Sequence, residues 1–286
     1  MKRRSIPAIY LGEIDGMAPS FTLFIATSEP NAWAIPGFLR QLKKFFPEFH
    51  GDIVVNIPKG PFKEISSGVS EKYRNYDWST RTMEALKQVK TEFVLLCLED
   101  NFLTSPVDPN LLDAAVLTLK DDSRFGDINF GVDHHDQAAN TLSHYSHCGL
   151  EFIVQKITQP ALCPSLLRTS YLRKLLRKGE DPWTYESFVY WRAKFAYKKC
   201  LVYCGALDRP LWPAPCGGTV HGGKVKDEFR YLFTTSELAE ADKPKGRAES
   251  FFLRLPGKIP TKRALYWLCR KLSIFHFSRS KVVIKN

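Results

Sequence analysis

The chain has 286 residues, with 41 Lys+Arg against 30 Asp+Glu, a formal net charge of +11. The excess sits at one end: residues 243–286 hold 12 basic residues and one acid, Glu249, while the first 242 hold 29 of each sign. A neutral body with a basic tail argues against a specific nucleic-acid-binding fold with a basic stripe through it. It leaves a tail that meets phosphate, on RNA or on a lipid surface.

At 44% hydrophobic and 25% charged residues the composition is that of an ordinary soluble globular protein, not of a disordered one. No apolar run approaches the roughly 18 residues of a membrane-spanning helix. The N-terminal stretch MKRRSIPAIYLGEIDG has a basic start, but Pro7, Glu13 and Asp15 interrupt its apolar run, which makes a poor signal peptide. Seven cysteines at irregular spacing read as reduced thiols in a cytoplasmic protein.

In chain order, residues 21–26 (FTLFIA) predict a buried strand, and GFLRQLKKFF after Pro36 predicts an amphipathic helix. Residues 52–57 (DIVVNI) predict a second strand, 58–70 a Pro/Gly/Ser-rich loop, and 79–90 a helix. A third strand spans 91–98 (TEFVLLCL); a helix runs from Asp108 or Pro109 to Leu119, and a short strand covers 127–131. Residues 133–150 are polar and His-rich, an insertion or hairpin. Then come a strand at 152–157, helices at 166–177 and 183–196, and a last strand at 201–204. Around residue 236 the pattern fades into a linker, and an amphipathic basic segment spans 261–277. Apolar strands alternating with helices predict an α/β fold with a mostly parallel central sheet flanked by helices. The expected division is a catalytic domain over 1–235, then a linker and a basic helical tail over 236–286.

Open α/β sheets bind ligands at the carboxyl ends of their strands. Glu99 and Asp100 stand where the third apolar run stops. Two acids there could hold a divalent cation, Mn2+ or Mg2+, that clamps a diphosphate. The alternative is that they simply mark the solvent end of a strand.

The run Asp77-Trp78-Ser79-Thr80-Arg81, a helix, then LLCLEDNF resembles the acidic metal-binding motif of GT-A-type glycosyltransferases, as found in bacterial and viral surface-polysaccharide and glycan synthesis. The resemblance continues through Gln159-Pro160-Ala161-Leu162 and Gly179–Glu186, and covers residues 20–225. It implies a GT-A-like fold, a nucleotide-sugar donor and a glycan or lipid-linked acceptor. It places the catalytic acid in the Gly/Glu/Asp segment. The sequence departs from the pattern in having Glu-Asp in place of Asp-x-Asp, and Cys163-Pro164 where related chains carry an aromatic.

An inverting transferase needs a carboxylate base for the acceptor hydroxyl, from a segment other than the metal acids. Asp181 is the first candidate, then Glu186 and Glu180. Asp181 followed by Pro182 is also a good helix cap. The resemblance also implies a third metal ligand from a histidine toward the C-terminal side of the fold, for which His221, in the Gly-rich stretch 216–224, is the candidate, with a turn histidine as the alternative. Lys224 could pair with phosphate. Thr27 and Ser28 after the first strand, Asn56 after the second, Trp78, Arg81 and Gln159 are expected to line the nucleotide-sugar pocket. No P-loop or dinucleotide fingerprint occurs. Asp133, His134, His135, Asp136, His144 and His147 lack zinc-site spacing and read as a solvated loop. Cys200, Cys204, Cys216 and His221 read as buried thiols and a turn. Residues 261–277 could lie on an anionic membrane, giving a peripheral location, or pack on the body or a second subunit. Two rival readings remain: a non-catalytic protein that grips membrane or RNA with its tail, and a sugar nucleotidyltransferase.

Overall fold

The computed structural model describes residues 21–130, 141–155, 162–196, 198–215, 217–221 and 224–243. The chain divides into two units after Pro244, and every described residue belongs to the first. The segments 133–136, 156–161 and 261–277, with Gln159 and the basic tail, lie outside the described residues.

The first half follows the alternation expected from the sequence. Strand β1 (Phe21–Ala26) leads through a 3-10 turn (Glu29–Ala34) to helix α1 (Ile35–Phe45). Strand β2 (Ile53–Val55), helix α2 (Trp78–Leu86), strand β3 (Phe93–Leu98), helix α3 (Pro109–Asp121) and strand β4 (Phe125–Asn129) follow. Two of these helices start on the signals their sequences carry. The Asp77 side chain accepts from the Thr80 N–H at 2.8 Å, and Asp108 accepts from Asn110 at 3.0 Å with Pro109 in the first turn.

The second half contains strands β5 (Thr141–His147), β6 (Leu150–Gln155) and β7 (Ser165–Arg168), helices α4 (Thr169–Leu175) and α5 (Pro182–Phe195), and strand β8 (Lys199–Tyr203). A two-stranded hairpin, β9 (Val220–His221) and β10 (Lys224–Val225), precedes helix α6 (Thr235–Ala241). Two expectations are corrected here. The helix predicted from 166 begins at Thr169, because Ser165–Arg168 forms a strand with all four residues buried between β3 and β4. The linker expected around 236 is helix α6. It is closed by a capping box in which Thr234 and Glu237 each accept from the other's backbone N–H, and Glu237 also binds Arg40 of α1.

Eight strands form one sheet in the order β2-β1-β3-β7-β4-β8-β6-β5. Followed through the pairings, six strands run one way; β7 and β6 run against them. The sheet is thus mostly parallel in direction, yet each reversed strand makes both of its pairings antiparallel. Successive residues alternate between faces. Phe21, Leu23 and Ile25 join the core that holds α1 and α3, while Phe24 and Ala26 join the core that holds α2, α4 and α5. β3 alternates in the same way, with Phe93, Leu95 and Cys97 on the first side and Val94 and Leu96 on the second. Covering both faces explains why these strands read as continuous apolar runs and not as alternating ones.

Candidate functional site

Because β1, β2, β3, β4 and β8 share a direction, their carboxyl ends lie at one edge of the sheet. The chain delivers Thr27, Asn56, Glu99 and Asn129 to that edge directly. Helix α2 runs back from it, which puts Asp77 and Trp78 there. α4 rises to it and α5 leaves it, so the turn 178–181 and the first turns of α5 belong to the same rim. Two hydrogen bonds fix this turn on α2: the Ser79 N–H donates to the Glu180 carbonyl at 3.0 Å, and the Glu180 N–H donates to Ser79 Oγ at 3.0 Å.

Asn56 ties the ends of β1 and β2 to α2. Its carbonyl accepts from the Thr27 N–H at 2.7 Å and its amide donates to Thr82 Oγ1 at 3.0 Å. Both ends of this buried side chain are therefore used to hold the ends of β1 and β2 against α2. Trp78 is likewise buried, against Tyr185 at 5.5 Å between ring centroids. These two residues position the rim. Ser28 is half-buried and caps the turn at 29–34 without a side-chain bond. Arg81 is buried; its Nη1 donates to the Arg74 carbonyl at 3.2 Å and stands 3.7 Å from Glu29, while its Nε has no partner. Burial pulls its proton affinity down, against the pull of Glu29 and Asp77.

The two acids after β3 have different surroundings. Burial raises the Glu99 carboxyl to about 8, with the Asp100 charge adding to the rise and hydrogen bonds from Asn31 and Thr27 opposing it. Glu99 is thus bound into the turn after β1. Asp100 meets the hairpin: its carbonyl accepts from both Thr219 N–H, at 2.9 Å, and Thr219 Oγ1, at 3.0 Å. Burial lifts the Asp100 carboxyl to about 6, opposed by the Val220 N–H and by the Lys226 charge. Its Oδ1 is buried and has no hydrogen-bond partner among the described residues. Gly217 and Gly218 have φ of +68° and +67°, and a Cβ on Gly218 would lie 2.1 Å from Asp100 Oδ2. The glycines are needed so that this loop can close on the carboxylate.

Lys226, which the sequence reading passed over in favour of Lys224, donates to the carbonyls of Gly217 at 3.2 Å and Gly218 at 2.6 Å, beside Asp100. Lys224 is exposed and pairs in register with His221, whose side chain is outside the described residues. Among the described residues no group of three or more His, Cys, Asp or Glu side chains gathers as a metal site. The orphaned Asp100 oxygen fits one bond to a hard cation. Mg2+ typically takes one or two carboxylates and completes its shell with phosphate oxygens and water.

The second acidic cluster also separates by environment. Glu180 is ion-paired to Arg192 through both oxygens, one contact at 2.9 Å. Asp181 caps α5, its Oδ1 accepting from the Thr184 N–H at 2.6 Å. Glu186 accepts from the Leu162 N–H at 3.2 Å, and burial raises its proton affinity. A cavity of about 240 Å³ lined by Arg124, His144 and Lys199 lies by the starts of β4 and β8, at the other end of the sheet from these residues.

No protein-family model matches the sequence, and no curated protein sequence matches it. Among solved structures the chain is similar to residues 1–349 of TarS from S. aureus in complex with UDP, at 17% identity over 64% of this chain and 57% of that one, with a TM-score of 0.34. It is also similar to the bifunctional IspDF from Campylobacter jejuni, at 17% identity over 59% of this chain and 47% of that one, with a TM-score of 0.29. The chain thus spans about half the length of these two neighbours. Likeness of this degree assigns neither ligand nor reaction to the present chain.

Proposed function

We propose that this protein is a GT-A-type glycosyltransferase. It would move a sugar from a nucleotide-sugar donor to a hydroxyl of a glycan or lipid-linked acceptor, with Mn2+ or Mg2+ between Asp100 and the donor diphosphate. The observation that carries the reading is the buried Asp100 oxygen without a partner, at the strand-end rim where ligands of open α/β sheets bind. A buried carboxylate oxygen left without a partner is costly, and a cation there would reduce the cost. Neutralisation of the charge on the leaving diphosphate is what such a cation supplies when bound.

The chain's own residues take complementary roles. Lys226 and Arg81 add positive charge to the rim. Asn56 and Trp78 fix the nucleotide side, and Thr27 and Ser28 begin it. Glu186 is the base that takes the acceptor proton, since it carries a raised proton affinity and no ion pair among the described residues. Asp181 holds the helix that presents Glu186, and Glu180 anchors that helix through Arg192. Gln159 and His221 are assigned to the donor and the metal by the sequence resemblance alone, and Lys224 to phosphate by its charge beside a Gly-rich stretch.

The test is incubation of the purified chain with a panel of nucleotide sugars, with and without Mn2+, reading nucleoside diphosphate released. Cation-dependent release that Asp100→Ala abolishes, with an unchanged melting curve, supports the proposal. No turnover of any donor would count against it, and release of pyrophosphate would identify a nucleotidyltransferase.

A further inference from the structure

Helix α5 carries apolar side chains toward solvent as well as toward the sheet. Tyr185, Val189 and Ala193 are buried against the sheet, yet Trp183, Phe188 and Phe195 are 76%, 41% and 71% exposed. A helix on the surface of a globular protein ordinarily turns a polar face outward. Three of the seven large apolar side chains exposed among the described residues stand on this one helix. At 14 residues it is about 21 Å long, so Trp183 and Phe195 mark its two ends.

The charge around it is one-sided. Residues 169–199 hold eight Lys or Arg and three Asp or Glu, so they carry +5. The first 242 residues balance to zero, so the remainder of that body carries −5. Of the three acids, Glu180 is paired with Arg192, Asp181 caps the helix and Glu186 is half-buried. Arg173, Lys174, Arg177, Lys178 and Lys199 are exposed, on the neighbouring α4, the turn after it and the strand that follows α5.

We propose that the outer face of α5, with the cationic shoulder of α4, docks on an anionic lipid surface and lies in the headgroup plane. Aromatic side chains settle at that depth, and basic residues near such a surface are attracted to its anionic headgroups. The surface is distinct from residues 261–277, and the inference does not rest on the transferase reading.

The experiment is co-sedimentation of the full chain with phosphatidylcholine vesicles, with and without phosphatidylserine. The parent binds the phosphatidylserine vesicles, and salt weakens the binding. Phe188→Ser with Phe195→Ser lowers partitioning about tenfold. Lys174→Glu with Lys178→Glu lowers it similarly, and this charge pair carries the test if the serine variant melts early. Parent-like binding by these variants assigns the binding to another segment and overturns the proposal. Absence of binding by the parent overturns it too, as does a parent self-association that the serine variant dissolves in place of vesicle binding.

Discussion

Asp127 shows what burial does to one carboxyl. It is fully buried on β4, and burial lifts it to about 7, opposed by a hydrogen bond from the Cys200 thiol. Its folded-state value lies above its ordinary 3.8, so the native state holds a proton that the unfolded chain releases. The stability this adds is complete below about pH 4 and is lost as pH rises through about 7. Urea denaturation across that window should show stability falling with pH, and Asp127→Asn should flatten the slope. An unchanged slope would remove Asp127 as its source. Gly218 is constrained in another way: Gly218→Ala meets both a positive φ and the Asp100 carboxylate, and should destabilise the fold by about 1–3 kcal/mol in the same assay. Glu186→Gln should lower kcat by about a hundredfold or more without a matching change in donor KM. A kcat within a fewfold of the parent would dismiss Glu186 as base.

The elements differ in how far their sequences disclose them. β1 and β3 were plain because long apolar runs with β-forming residues end in polar ones. Asp108-Pro109 and Asp181-Pro182 marked α3 and α5 through chemistry that the structure uses. β7 was hidden because Ser165-Leu166-Leu167-Arg168 is as short and apolar as a turn of buried helix; only its pairing with β3 and β4 tells them apart. α6 had a readable signal, Thr234 with Glu237 three residues on, masked by the acidic and small residues that follow. Thr234→Ala should cost about 1 kcal/mol in thermal or urea melts, and no loss would mean that the Arg40–Glu237 pair holds the helix without its cap.

At the scale of the molecule, the strand directions assemble a site from residues far apart in sequence. The position of Asp100 at the strand-end rim was legible because an apolar strand stops just before it. Lys226 was not, because the β9–β10 hairpin that brings it back to Asp100 has strands of only two residues each. Nor could spacing alone show that Glu99 and Asp100, adjacent in the chain, would be bound into different loops, or that Glu180 would be consumed by Arg192. The balanced charge of residues 1–242 likewise conceals a cationic side around α4 and α5. The central claim is that Asp100 joins a cation to a nucleoside diphosphate at the strand-end rim. Thermal melting of the parent and Asp100→Asn with nucleoside diphosphates, with and without Mn2+, tests it most directly. The account predicts a rise in Tm for the parent only when nucleotide and Mn2+ are both present, and none for Asp100→Asn. An equal rise in the variant, or a parent rise indifferent to Mn2+, would contradict it.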